Sequence, residues 1–281
     1  MFRSSLAAAL LLPLLAGACD QAPTTPAGAA QVGIRFSTTT ATGLSADLIP
    51  TVRTATTPAG DLVVEGSNGT LTISAIGFVV SKLELRCLGE ESHDGAGCAR
   101  FRAAPSFVPL PLENGAVDVA TAAIEEGTYT RLRFRVEDLE DESGEDHDDD
   151  AGDSADALAA LLASIRQSYP DFPSDASMVV EGSFTPAGET EAVPFRAYFE
   201  AEIKVEMTLD PPLTISDAGA SRDLVVDVQP ALWFQNGDGT VVDLSRFDYA
   251  ETGKLVEFEL KMDRGFHHVE EHEDHHGGDD D

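Results

Sequence analysis

The chain has 281 residues, with 50 Asp and Glu against 18 Lys and Arg, a formal net charge of −32. A surface of that sign repels nucleic acid and anionic lipid, so neither DNA nor RNA is expected as a partner; divalent cations and basic surfaces are the favoured ones. Hydrophobic content of 42% is that of an ordinary globular protein, and the length suffices for one large β domain or two small ones.

The first 18 residues read as a signal peptide: Arg3 supplies a positive start, Leu6 to Leu15 an apolar run, and Ala16-Gly17-Ala18 the small residues of a cleavage site. The run is too short for a bilayer span, which takes about 20 residues. Leu15-Ala16-Gly17-Ala18-Cys19 resembles a bacterial lipobox, with Ala16 where that pattern usually has Leu. The resemblance implies lipidation (palmitate) of Cys19. It places the protein in the cell envelope, lipid-anchored on the periplasmic or cell-surface side of a bacterial membrane. Ordinary secretion through the same A-x-A site, with Cys19 as a free thiol, is the alternative. Residues 19–30, rich in Pro, Thr, Ala and Gly, suit a flexible tether behind a lipidated Cys19. Of the three cysteines, lipidation of Cys19 leaves Cys87 and Cys98, an expected disulfide across the base of a ten-residue loop. Closing so short a loop contributes on the order of 3 kcal/mol in the chain-entropy model.

Residues 31–262 carry β patterning. Val32, Ile34 and Phe36 alternate with polar positions, and Leu62-Val63-Val64 leads to the hairpin signal Asn68-Gly69. Leu71, Ile73 and Ala75 alternate next. Phe78 to Arg86 alternates again, with Lys82, Glu84 and Arg86 against Leu83 and Leu85 and a bulge expected near Gly77. Prolines break Phe101 to Leu112 into an edge segment. Leu132, Phe134 and Val136 predict a strand with Arg131, Arg133 and Arg135 on its opposite face. An acidic loop follows over residues 137–153, where 11 of 17 residues are Asp or Glu. A helix is predicted over residues 154–168, its apolar stripe Leu158, Leu161, Leu162 and Ile165, closed by Pro170. Strands resume at Met178 to Phe184, Val193 to Met207, Leu224 to Val228, Leu232 to Phe234, Val241 to Leu244 and Leu255 to Met262. Turns are expected at Pro211-Pro212 and Asn236 to Gly239. The sum is a mainly β protein: an antiparallel β-sandwich, transthyretin-like or Ig-like, with one inserted amphipathic helix.

Several segments carry a family likeness: Leu71-Thr72-Ile73-Ser74 with Phe78-Val79-Val80-Ser81, then Val117-Asp118-Val119, then Glu126-Gly127-Thr128-Tyr129-Thr130-Arg131-Leu132. With these the stretch Leu71 to Glu137 resembles an uncharacterised bacterial lipoprotein family whose domain of unknown function is a transthyretin-like or carboxypeptidase-regulatory-like β-sandwich. Val226 to Asp243, with Trp233-Phe234 and Asp238-Gly239, is similar to the end of such lipoproteins. The resemblance covers about half the chain. It implies fold and location, and no activity.

Chemistry concentrates in the tail, residues 263–281, expected to be disordered. His267, His268, His272, His275 and His276 stand among Glu270, Glu271, Glu273 and Asp274. Imidazoles with nearby carboxylates suit Zn²⁺, Cu²⁺ or Ni²⁺, and in a helix His268, His272 and His276 would share one face. A solvated tail that binds metal incidentally is the competing reading. His272-Glu273-Asp274-His275-His276 matches H-E-x-x-H but lies five residues from the terminus, without the cleft and third ligand a zincin needs. The acidic loop, with His147 among Asp146, Asp148, Asp149 and Asp150, is a candidate for weak Ca²⁺ attraction and lacks EF-hand order. No G-x-S-x-G elbow, P-loop or dinucleotide fingerprint occurs, so no catalytic residue is expected and the protein is not expected to be an enzyme. The sequence favours a non-catalytic exported lipoprotein binding divalent metal through its tail. Its rival is a structural or adhesive envelope sandwich whose acidity serves solubility or weak Ca²⁺ contacts. The protein partner, if any, is not specified by the sequence.

Overall fold

A computed structural model describes residues 30–38, 53–56, 60–87, 101–139, 151–216, 221–257 and 265–273. In chain order the strands are β1 (Ala30–Thr38), β2 (Arg53–Thr56), β3 (Leu62–Gly66), β4 (Gly69–Cys87), β5 (Phe101–Ala103), β6 (Ser106–Leu110), β7 (Gly115–Ile124) and β8 (Gly127–Val136). After helix α1 (Ala151–Ser168) come β9 (Met178–Pro186), β10 (Val193–Glu200), β11 (Ile203–Ile215), β12 (Ser221–Val228), the short helix α2 (Tyr249–Thr252), β13 (Val256–Glu257) and β14 (Phe266–Glu273). They form two sheets, one ordered β14-β12-β1-β7 and a larger one ordered β11-β8-β4-β9-β10-β13. The expected β-sandwich with one inserted helix is what the chain forms. Its pairing is not wholly antiparallel: β1 runs parallel to β12, and β10 to β13.

Between the sheets lies an apolar core. Val32, Ile34 and Phe36 of β1 and Leu224, Val226 and Val228 of β12 face Phe78, Val80, Leu83 and Leu85 of β4 and Leu132, Phe134 and Val136 of β8. Five rings lock the middle. Phe36 lies 5.1 Å from Phe134, Phe134 5.0 Å from Phe266, Phe266 5.7 Å from Trp233, and Trp233 6.2 Å from Phe78, between ring centroids. Each such ring, fully buried, contributes roughly 1.5–3 kcal/mol by transfer from water. The entry to β8 is tied down by Tyr129, fully buried, whose hydroxyl donates to the Glu125 carbonyl four residues back at 3.1 Å. Burial, and then the nearby Glu125 charge, raise that phenol above its ordinary pKa.

Strand β4 organises the large sheet. Along one edge it pairs with β9 through Phe78 and with β8 from Val80 onward; along the other it pairs with β3, β6 and β5. It is one strand of 19 residues that runs through Gly77, where a bulge is expected. Its register breaks flank that glycine, at Ile73/Ala75 and Val80/Lys82. Gly77 serves packing instead: a Cβ there would lie 2.2 Å from the Phe107 ring. On the outer face α1 lays Leu158, Leu161, Leu162 and Ile165 over Val79, Val179 and Tyr198, with Phe172 between. The helix starts at Ala151, three residues before the expected start.

Other departures have local causes. The run Val193 to Met207 is divided at Ala201 and Glu202 into two strands, β10 paired with β9 and β11 paired with β8. Ser177 stands at the break: its Oγ donates to the Phe199 carbonyl at 3.1 Å and accepts from the Ala201 N–H at 2.9 Å, replacing ladder bonds. Pro211-Pro212 is no turn between strands. It lies inside β11, where the register against β8 jumps from Thr208/Arg131 to Leu213/Tyr129 and the excess residues bulge out. Leu232 to Phe234 belongs to a 3-10 turn over Pro230–Trp233, because Pro230 offers no N–H to a ladder. Val241 makes only an isolated bridge to Gln235 across the expected Asn236 to Gly239 turn, and Leu244 opens a second 3-10 turn. Trp233 and Phe234 are fully buried, as expected of core aromatics.

Residues 266–273, expected as part of a disordered segment, form strand β14 on the free edge of β12, held by Phe266 and Val269 in the core. The preceding Gly265 is compulsory. A Cβ there would stand 1.8 Å from Trp233 Nε1, an indole N–H with no hydrogen-bond partner among the described residues. Gly265→Ala is therefore expected to cost about 1–3 kcal/mol by overpacking. Thermal unfolding followed by emission of Trp233, the chain's one tryptophan, measures it; an unchanged midpoint would show that β14 does not dock against this ring.

Candidate functional site

Local alternation from Lys82 to Arg86 in β4, along β8, and from Ile203 to Glu206 in β11 sends one residue set to the core and the other to the outer face. In β8, Leu132, Phe134 and Val136 point inward, so Arg131, Arg133 and Arg135 point out, as the sequence predicts. The sequence does not show which strands stand beside β8. Arg133 is opposite Glu84 of β4 and Glu206 of β11; Arg135 is opposite Lys82 and Lys204; Arg131 is opposite Arg86 and Thr208. Strand β5 adds Arg102 opposite Glu84. Seven of the chain's 18 cationic residues thus share one face of four adjacent strands with two carboxylates, and all of them but Arg131 border a recess of ≈ 470 Å³.

The two carboxylates act as hubs. Glu84 is almost fully buried and takes Arg102 at 3.3 Å, Lys82 at 3.4 Å and Arg86 at 3.6 Å. Glu206 takes Arg131 at 3.1 Å and accepts from Arg133 Nε. At the rim Glu137 accepts from Ser81 Oγ at 2.6 Å and stands 3.8 Å from Arg135. Lys204 makes no ion pair with any described residue. Among the described residues the cations on this face outnumber the carboxylates, in a chain whose net charge is −32. Flexible guanidinium and ammonium donors around an open recess can bind anionic oxygen; they offer no nucleophile beside a base.

The other sequence candidates are distributed differently. Cys19, Cys98, His275, His276 and the acidic residues 140–150 lie outside the described residues. Cys87 is buried at the end of β4. Of the tail histidines, His267, His268 and His272 lie on β14, where the backbone register sets His268 opposite Asp227 and His272 opposite Asp223. A strand advances about 3.3 Å per residue, so His268 and His272 are about 13 Å apart along it. The helical i, i+4 grouping expected of these residues does not form, because their backbone is a strand. Among the described residues no group of three metal-ligating side chains is gathered. Also among them, no helix is long and apolar enough to cross a membrane.

Compared with protein-family models, curated proteins and solved structures, the chain matches none.

Hydrogen bonding from Arg133, then the charges of Arg133, Arg131 and Arg86, outweigh partial desolvation and hold the Glu206 carboxyl below its ordinary pKa. A lowered folded pKa means the pairing is intact above the ordinary carboxylate value and is lost as pH falls through the folded one. Titration followed by the Glu206 carboxyl carbon resonance should give a midpoint below that of an unpaired glutamate, moving up in Arg133→Gln. A midpoint at the ordinary value in the parent protein would mean that Glu206 is not held by these arginines.

Proposed function

We propose that this protein is a non-catalytic binding module of the bacterial cell envelope that takes an anionic ligand on its cationic sheet face. One observation carries the reading: seven cations and two carboxylates converge on four strands of a chain whose net charge is −32. Like charges set opposite one another in a sheet are destabilising. Lys82 and Lys204 both stand opposite Arg135, and Arg86 stands opposite Arg131. The fold tolerates that cost where solubility, already secured by the acidic surface, does not require it. Export, the Cys19 anchor and the Cys87–Cys98 disulfide rest on the sequence, as does membership of the transthyretin-like lipoprotein family. Metabolic labelling with a palmitate analogue, lost in Cys19→Ser, reads the anchor.

Titration calorimetry with inorganic pyrophosphate at low salt tests the binding. The parent protein should bind stoichiometrically and more weakly as salt rises. Affinity should fall at least tenfold when Arg131, Arg133 and Arg135 are replaced by Gln. Absence of binding by the parent protein would end the proposal.

A second reading keeps the metal expectation, because β14 sets His268, Glu270 and His272 at alternate positions opposite Asp227, Val225 and Asp223. In the strand the ligand pairs are i, i+2 rather than i, i+4. Zn²⁺ titrated into the same protein should bind, and lose affinity in His268→Ala and His272→Ala; unaltered binding in both would remove the strand as the site.

A further inference from the structure

We infer that the ligand of this face is a compact, multiply charged anion, and that it seats on the row Lys82, Arg135 and Lys204. The inference rests on the anion-binding reading and names its ligand class and subsite.

The outer face has three rows across the strands, and they differ in compensation. In the middle row Arg102, Glu84, Arg133 and Glu206 alternate in sign from β5 to β11. That is how opposite charges stabilise neighbouring strands. Beside it, Lys82, Arg135 and Lys204 are three cations in succession on β4, β8 and β11 with no carboxylate between them. Lys82 leans 3.4 Å toward Glu84, and Arg135 lies 3.8 Å from Glu137. Lys204 has no ion pair with a described residue. The third row, Arg86 and Arg131, is drawn to Glu84 and Glu206. The row Lys82, Arg135 and Lys204 is therefore the least neutralised, and it runs about 10 Å over three strands.

Size and surroundings select a compact ligand. The recess of ≈ 470 Å³ falls within the range of small-molecule sites, roughly 300–1,000 Å³, and is too small for a polymer. A chain of anionic units longer than the face would run over the rest of the protein, where 48 acidic residues meet 11 basic ones. Exposed charges are screened beyond about 8 Å at physiological salt, so a ligand confined to the patch feels the cations and little of the acidic remainder. An extended polyanion or an anionic bilayer meets that acidic surface directly. Among the described residues no aromatic side chain lines the outer side of the row for base or sugar stacking; Phe134, the one described aromatic at the recess, belongs to the core. The chemistry selected is two or three phosphate, sulfate or carboxylate groups within about 10 Å, as in an oligophosphate or a tricarboxylate.

The test compares two double variants that remove equal charge from the outer face, Lys82→Gln/Lys204→Gln and Arg86→Gln/Arg131→Gln, titrated with tripolyphosphate. The row predicts at least tenfold weaker binding in the first and no more than about threefold in the second, with Lys204→Arg restoring affinity when Lys82 is intact. Circular dichroism establishes that each variant is folded, and resonances of the single Lys204→Gln variant replace the double variant if it is not. Long-chain polyphosphate and vesicles containing phosphatidylglycerol complete the comparison, each predicted to bind no tighter per anionic group than tripolyphosphate. Equal losses in the two variants, or tighter binding of the long chain or the vesicles, would overturn this assignment and leave anion binding standing. No binding of any anion by the parent protein would overturn both.

Discussion

Burial of Phe134 is what presents the arginines. The ring sits in the core against Phe36 and Phe266, and a strand turns successive side chains to opposite faces. Fixing Phe134 inward therefore fixes Arg133 and Arg135 outward. A one-residue slip of β8 would place those charges in the aromatic core and cost far more than the sandwich can offset. The same coupling acts in β4, where Leu83 and Leu85 commit Glu84 and Arg86 to the outer face, and in β11, where Ile203 commits Lys204. The hydrophobic core and the cationic face are two readouts of one register.

That register also explains how the cations are spread without collapsing onto acid. Surface ion pairs in water are worth about 0–1 kcal/mol, too little to set the pairing of three strands. The core sets it, and the outer charges accept the positions given. Glu84 and Glu206 relieve part of the repulsion. Lys204 has no such relief among the described residues. Helix α1 covers the neighbouring half of the same outer surface with an apolar stripe. Among the described residues the large sheet therefore has a packed half and a charged half.

Much of the fold is legible in the sequence, because local alternation reports which face each residue takes. The apolar positions of β1 and β8 and the stripe of α1 are read correctly from periodicity alone. What periodicity cannot show is partnership. Nothing near Arg133 in sequence announces that Glu84 and Glu206, 49 and 73 residues distant, stand on either side of it. The sequence therefore points to the tail, where the histidines are dense and adjacent, and passes over the sheet face, whose residues are dispersed. The tail itself is misread as disordered because its charges mask two anchors, Phe266 and Val269, spaced to dock beside β12. The split of β10 from β11 is missed for a related reason: an alternating run continues through Ala201 and Glu202, and only the distant hydroxyl of Ser177 reveals the break.

The central claim is that the outward row of β4, β8 and β11 is where an anion binds. The most direct measurement is nitrogen-detected NMR of the lysine ammonium and arginine guanidinium groups during addition of pyrophosphate to the folded protein. The account predicts saturable shifts of Lys82, Arg135 and Lys204 with one common dissociation constant, and none at Lys254 or Arg246, away from the face. Shifts spread evenly over all these groups, or confined to residues off the sheet face, would contradict it.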